Sequence, residues 1–313
     1  MIFGKSKKKT PQRIEAERLD ALGLEHFNAG RHAETEAAWL AAAAADPDWD
    51  EPPFSLGVLY KWTRRWRDCL ESSQRALALN PKSAGARWNS GIAATALRDW
   101  PAARAAWKAY GIKLPADKGE IRGRFGTTPV RLDPQGSGEV VWGKRIDPAR
   151  IIIESVPLPE SGRRYGEIVL HDGEPKGERM LGDEAVPVFD EIELWQASRY
   201  ITFRCRVHAR TMDDYDSLVR SLLKAGCMFE DMSNVRMLCR QCSEGLPHEH
   251  HDHELPDSGW DSHRRMLIAA RSPLRVRQVA YHWARRSGSR EVLSLELALP
   301  KPKPARARMR GCA

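Results

Sequence analysis

Six potential metal donors crowd 15 residues of this chain: Cys239-x-x-Cys242, then His248, His250, His251 and His253. A Cys-x-x-Cys turn presents two thiolates to one ion, and nearby imidazoles can complete a tetrahedral shell. Donors of this softness suit zinc rather than magnesium or calcium. Glu244, Glu249, Asp252, Glu254 and Asp257 add negative charge that favours any cation. The donor set predicts a zinc ion with a structural role, although its spacing matches none of the common fingers. The alternative is a solvated loop rich in His and acid beside an ordinary Cys pair.

Catalytic uses of these residues fit less well. A metalloprotease helix would place its second His at position 252 after His248-Glu249, and Asp252 stands there. A zinc deaminase carries His-x-Glu ahead of Pro-Cys-x-x-Cys, whereas here Cys239 comes first and lacks the Pro. A thioredoxin-like pair opens a helix, and Ser243-Glu244-Gly245-Leu246-Pro247 offers none. No Gly-rich phosphate loop and no Gly-x-Ser-x-Gly elbow occurs. No catalytic residue is assigned; a metal-dependent enzyme using the Cys/His loop stands as the enzymatic alternative.

Two charged groups complete the inventory. Asp213, Asp214 and Asp216 fall in the first turn of an expected helix, where the helix dipole favours acids. Arg264, Arg265, Arg271, Arg275, Arg277, Arg285, Arg286 and Arg290 follow one another with no acid between them. With Tyr281 and Trp283 they form a candidate nucleic-acid face. Against it, Trp283 lies on an apolar stripe, Arg285 and Arg286 suit a helix C-terminus, and the acidic loop just before could neutralise the patch.

The elements that must position these groups begin with a repeat. Gly23, Gly57 and Gly91 are 34 residues apart, as are Pro47, Pro81 and Pro115. The Gly lets one helix approach the next, and the Pro stops the second helix because it has no amide to donate. Large apolar residues recur at helical spacing: Trp39 and Ala42, Trp66 and Ala76, Trp100 and Trp107.

The 34-residue period, Leu56-Gly57-x-x-Tyr60 and the closing Leu79-Asn80-Pro81 resemble tetratricopeptide repeats over residues 16–118. Thr35, Cys69 and Ala94 depart from that pattern at single positions. The resemblance implies a superhelix of three repeats whose concave face binds a peptide or protein partner. It places Glu25, His26 and Asn28, then Lys61 and Arg64, then Asn89 and Thr95 on that face.

Beyond the repeats, residues 119–138 are rich in Gly, Pro and charge and read as a linker. Residues 139–299 read as a β-rich α+β domain containing the Cys/His loop. Short apolar runs at 140–142, 151–153, 168–170 and 186–189 are expected strands. Ile201–Val207 alternates at period two, and Thr211 caps a helix carrying Leu218, Val219, Leu222 and Leu223. Residues 235–238, 266–269 and 292–297 are further strands, with a helix from Pro273. That βαβ-βαβ order suits a ferredoxin-like sandwich.

The net charge of +8 misdescribes the folded body. Five cations in residues 1–13 and five in 301–313 carry +10, leaving −2 between them. Residues 1–15 and 300–313 therefore read as basic disordered arms. The front arm has no following apolar segment, and Cys312 stands too near the end for a prenylation box. No run approaches the ~20 apolar residues of a membrane span. Six scattered cysteines fit a reduced, cytoplasmic setting better than a disulfide framework. The sequence thus points to a protein-binding adaptor with a structural zinc site. The alternatives are the metal-dependent enzyme and a nucleic-acid-associated factor using the Arg-rich segment.

Overall fold

The structure, a computed structural model, describes residues 9–233 and 260–302. They divide into two compact units: residues 1–123 with 146–149, and residues 124–145 with 150–313.

The first unit is built from α1 (Pro11–Asn28), α2 (His32–Ala45), α3 (Glu51–Trp62), α4 (Trp66–Leu79), α5 (Ala84–Ala96) and α6 (Trp100–Tyr110). They pack as three consecutive hairpins, forming the tetratricopeptide-like array that the period implies. The contact repeats as strictly as the sequence does. Gly23 faces Trp39, Gly57 faces Ser73 and Gly91 faces Trp107, each partner 16 positions on. Trp39 and Trp107 are buried beneath the glycines that admit them. Each hairpin turns through a left-handed residue, again 34 apart: Gly30, Arg64 and Arg98, at φ 70°, 59° and 61°.

Two boundaries differ from expectation. Residues 11–15 belong to α1 rather than to a basic arm, because Thr10 accepts a hydrogen bond from the Arg13 amide and Pro11 sits in the first turn. Pro115 does not end α6. Gly111 does so four residues earlier, adopting φ 99°, a conformation open to Gly at no steric cost. The chain then runs without helix or strand through bends at 116 and 118–120, and the buried guanidinium of Arg104 on α6 gathers it. Arg104 donates to Pro115 O at 2.9 Å and to Gly119 O at 3.0 Å, and pairs with Asp117.

The second unit joins a barrel to an open sheet. β1 (Thr127–Arg131), β2 (Val140–Asp147), β3 (Arg150–Ile153), β4 (Ile168–Leu181) and β5 (Glu184–Gln196) close in sequence order. An odd number of meandering strands forces the first and last to run the same way, and β1 pairs with β5 in parallel. β1 lies inside the stretch read as linker. Val130, Leu132, Val141, Ile151, Ile153 and Val169 fill the barrel.

β6 (Ile201–Ala209), α7 (Met212–Lys224), β7 (Met228–Asp231), β8 (His263–Ala270), α8 (Pro273–Ala284) and β9 (Arg290–Leu299) follow. The sheet order β7-β8-β6-β9, antiparallel throughout, is that of a ferredoxin-like fold. The second strand is Met228–Asp231; residues 235–238, expected in that role, lie outside the described residues. Phe203, Cys205 and Val207 point to the helices and join Leu218, Leu222, Val276 and Trp283 in one core. On the opposite face, Leu267 and Ala269 are covered by Val156, Leu158 and Tyr165 from the segment after β3.

Candidate functional site

The residues singled out as partner-binding lie on the first helices of the array, apart from Arg64 in the turn after α3, and they fall into three groups. Glu25 and His26 are engaged locally: Arg31 donates from Nε to His26 Nδ1 at 2.9 Å and lies 3.5 Å from Glu25. Lys61, Asn89 and Thr95 are buried. Thr95 Oγ1 donates to Gly91 O at 2.8 Å and accepts from Trp107 Nε1 at 3.3 Å, so it braces the α5–α6 contact. Lys61 Nζ lies 5.6 Å from the Trp62 ring.

Asn28 and Arg64 form the third group. Both are exposed, and their side chains make no hydrogen bond among the described residues. One helical turn before Asn28, Leu24 is 51% exposed. Arg64 holds its left-handed turn although a residue with a Cβ pays about 1 kcal/mol or more to adopt it.

A charged network joins repeats one and two. Tyr60 donates its hydroxyl to Glu36 at 2.8 Å, and Arg65 donates to Glu36 and Asp68 at 2.6 Å each. Arg65 also stacks 4.3 Å from the Tyr60 ring. Burial raises the Glu36 pKa, but the hydrogen bonds from Arg65 and Tyr60 outweigh it and hold the carboxyl below its ordinary range. Burial first, then the Glu36 bond, pushes the Tyr60 phenol up.

Cys239, Cys242, His248, His250, His251 and His253 lie outside the described residues. Among the described residues no group of three His, Cys, Asp or Glu is placed to hold a metal. Cys69, Cys205 and Cys227 are buried thiols, and burial raises the Cys205 pKa to about 12.

The arginine run does not form one cationic face. Arg264 is buried, pairs with Asp231 and lies over the rings of Tyr215 and Trp260. Arg290 donates to Asp214 at 2.8 Å, Arg275 donates to Ala225 O, and Arg271 stacks on Tyr200. An alternating strand sends neighbouring arginines to opposite faces, and α8 spreads the rest. The acids at 213–216 behave as helix-start residues: Thr211 Oγ1 accepts from the Asp214 amide, and the Arg290 hydrogen bond keeps the Asp214 carboxyl below its usual range.

Sequence reasoning missed the charged groups that strand pairing brings together. Arg131 and Asp190 form a buried bidentate pair at 2.6 and 2.9 Å, although 59 residues separate them. Glu139 accepts from the Leu158 amide at 2.9 Å, and burial raises its carboxyl to about 7. His171 is fully buried; burial and then the Arg145 charge lower its pKa to about 3. The period-two string Arg204-x-Arg206-x-His208 was visible in the sequence, but its neighbours across the sheet were not.

The fold and surface thus define a class: a three-repeat tetratricopeptide-like array, followed by a five-stranded barrel and a ferredoxin-like sheet. Solved structures similar to part of this chain include tetratricopeptide domains. The first such domain of Spaghetti (RPAP3), bound to an HSP90 peptide, is 21% identical; the match covers 31% of this chain and 78% of that one at a TM-score of 0.31. The TPR2B domain of yeast Sti1, in its pHsp70 complex, is 14% identical, covering 31% and 78% at 0.30. An O-GlcNAc transferase mutant of Thermobaculum terrenum is 20% identical, covering 33% and 20% at 0.30. No family model matches the chain, and no curated protein matches it. Among the described residues no helix is long and apolar enough to cross a membrane.

Proposed function

We propose that this chain is an adaptor that captures a peptide or protein partner on the first-helix face of its helical array. The supporting observation is the division of labour along those helices. Gly23, Gly57 and Gly91 are buried in the contacts that hold the repeats together, while Leu24, Asn28 and Arg64 stand at the surface with their polar groups unused. The Arg64 turn, left-handed like those of Gly30 and Arg98 at the same repeat position, sets an exposed side chain at the surface of the array. A half-exposed Leu flanked by polar donors is the composition of a peptide-binding surface, where apolar burial supplies affinity and polar groups fix register.

The full-length protein would be used as bait against lysate of its own cells, beside a Leu24→Glu/Asn28→Ala/Arg64→Glu variant. A Glu71→Ala variant on α4 serves as control. One partner held by wild type and control but lost by the triple variant is the expected result. A partner equally retained by all three would remove the array face from the function.

The same proposal keeps a structural zinc at Cys239 and Cys242 with imidazoles from His248, His250, His251 or His253, on the strength of donor type and the Cys-x-x-Cys turn alone. Elemental analysis of untagged protein, purified without nickel, should find near one zinc per chain, lost in Cys239→Ser/Cys242→Ser. Metal-free wild type would end that part of the proposal.

A further inference from the structure

Among the described residues, the helix-free face of the ferredoxin-like sheet is only half covered. Where Leu267 and Ala269 end, β6 and β8 continue with side chains of one charge type. Arg206 on β6 stands directly opposite Arg265 on β8, and His208 stands opposite His263 in the next row. The two imidazole rings lie 5.1 Å apart between centroids. Arg206, Arg265 and His263 are exposed and His208 is half-buried.

Like charges directly opposite on adjacent strands repel and destabilise the sheet. The nearby Arg204 is neutralised by Glu160. Among the described residues no acid stands within ion-pair distance of Arg206 or Arg265, and the one polar contact of the Arg265 guanidinium is with Met232 O at 3.5 Å. Two acids stand at the rim: Asp261, 3.8 Å from His263, and Glu291 on β9, in register opposite His208. These side chains border a groove of ≈ 250 Å³, closed on the β9 side by Leu293.

We infer that this groove binds the phosphate group of a small phosphorylated molecule between Arg206 and Arg265, with His263 at its edge. Two guanidinium forks meet phosphate oxygens in the paired geometry that a point charge such as Lys cannot reproduce. An anion between them converts the cross-strand repulsion into attraction. The groove is large enough for a phosphate and a few further atoms, so the rest of the molecule projects into solvent.

Titration of the full-length protein with inorganic phosphate, at constant ionic strength, tests the site. Saturable binding of one phosphate per chain is expected, with sulfate competing and chloride not. Arg206→Gln/Arg265→Gln should weaken binding roughly tenfold or more, while Arg220→Gln on α7 leaves it unchanged. Melting in phosphate-free buffer gives a second readout. The double variant should melt no lower than wild type, because a repulsive pair has been removed, and should lose the stabilisation that phosphate confers. Absence of saturable binding, equal competition by chloride, an equal loss in Arg220→Gln, or a lower melting temperature of the phosphate-free double variant would each overturn the proposal.

Discussion

Gly91 and Trp107 occupy one shared space in the third repeat: a Cβ built on residue 91 would stand 2.6 Å from the indole ring. The ring cannot easily retreat. It is fully buried, donates to Thr95, and packs edge-on against Trp88 with ring centroids 5.0 Å apart. The 34-residue glycine period is therefore a record of close approach between helices rather than of turns.

Gly91→Ala should lower stability by about 1–3 kcal/mol through overpacking. The methyl also improves helix propensity by about 1 kcal/mol, a gain too small to reverse the sign. Gly119→Ala, where an added Cβ meets nothing within 4 Å, should be neutral. Denaturant unfolding of both variants against wild type decides; equal midpoints would mean that Trp107 moves aside at no cost.

The array was legible because its determinants are local and repeated: Gly, Pro and aromatic residues recur in a fixed register. The end of α6 was not, because Gly111 offered an earlier stop than Pro115. The ferredoxin-like order could be read from β6 and its capped helix, since period-two and 3.6-residue patterns follow one another cleanly there. β1 was hidden: Thr127–Arg131 is five residues long, contains Pro129, and owes its strand state to pairing with β2 and β5. The charged sites depend on register. Arg206 meets Arg265 only because β6 and β8 pair where they do, and a one-residue slip would separate the two faces.

Arg104 should anchor the irregular chain that follows α6. Its fork reaches two carbonyls and a carboxylate at once, which Lys cannot do with one ammonium. Arg104→Lys should therefore free residues 112–121 without unfolding the three hairpins. Hydrogen exchange would show faster exchange in that segment and unchanged protection in α3 and α4. Uniform loss of protection would show instead that Arg104 supports the array as a whole.

Glu139 makes stability depend on pH in a direction unusual for a carboxyl. Folding raises its pKa from 4.5 to about 7, so between these values the folded state holds a proton that the unfolded state releases. Its contribution is present below pH 4.5 and is lost as pH rises through about 7. Glu139→Gln keeps an oxygen to accept from the Leu158 amide and removes the charge. The variant should match wild type at pH 4 and exceed it at pH 8 by up to about 3 kcal/mol. A gain independent of pH would point to packing rather than ionisation.

His171 works from the acid side. Its Nδ1 lies 2.6 Å from the Asp172 carbonyl, which can only accept, so Nδ1 carries the proton. Nε2 is then a buried acceptor without a hydrogen-bond partner among the described residues, and protonating it would place a cation in the barrel wall beside the Arg145 charge. The folded pKa of about 3 lies below the ordinary 6.5, so the unfolded chain binds the extra proton first. Stability should fall as pH drops below 6.5, with a slope of up to about 1.4 kcal/mol per pH unit from this residue. His171→Gln should cost some stability at pH 7.5 through lost contact with Phe189, 5.2 Å away between ring centroids, and should flatten the acid limb between pH 6.5 and 4. Unfolding midpoints across that range separate the two effects: an unchanged slope would assign the acid sensitivity to another group, whereas a flattened one places it in this single imidazole.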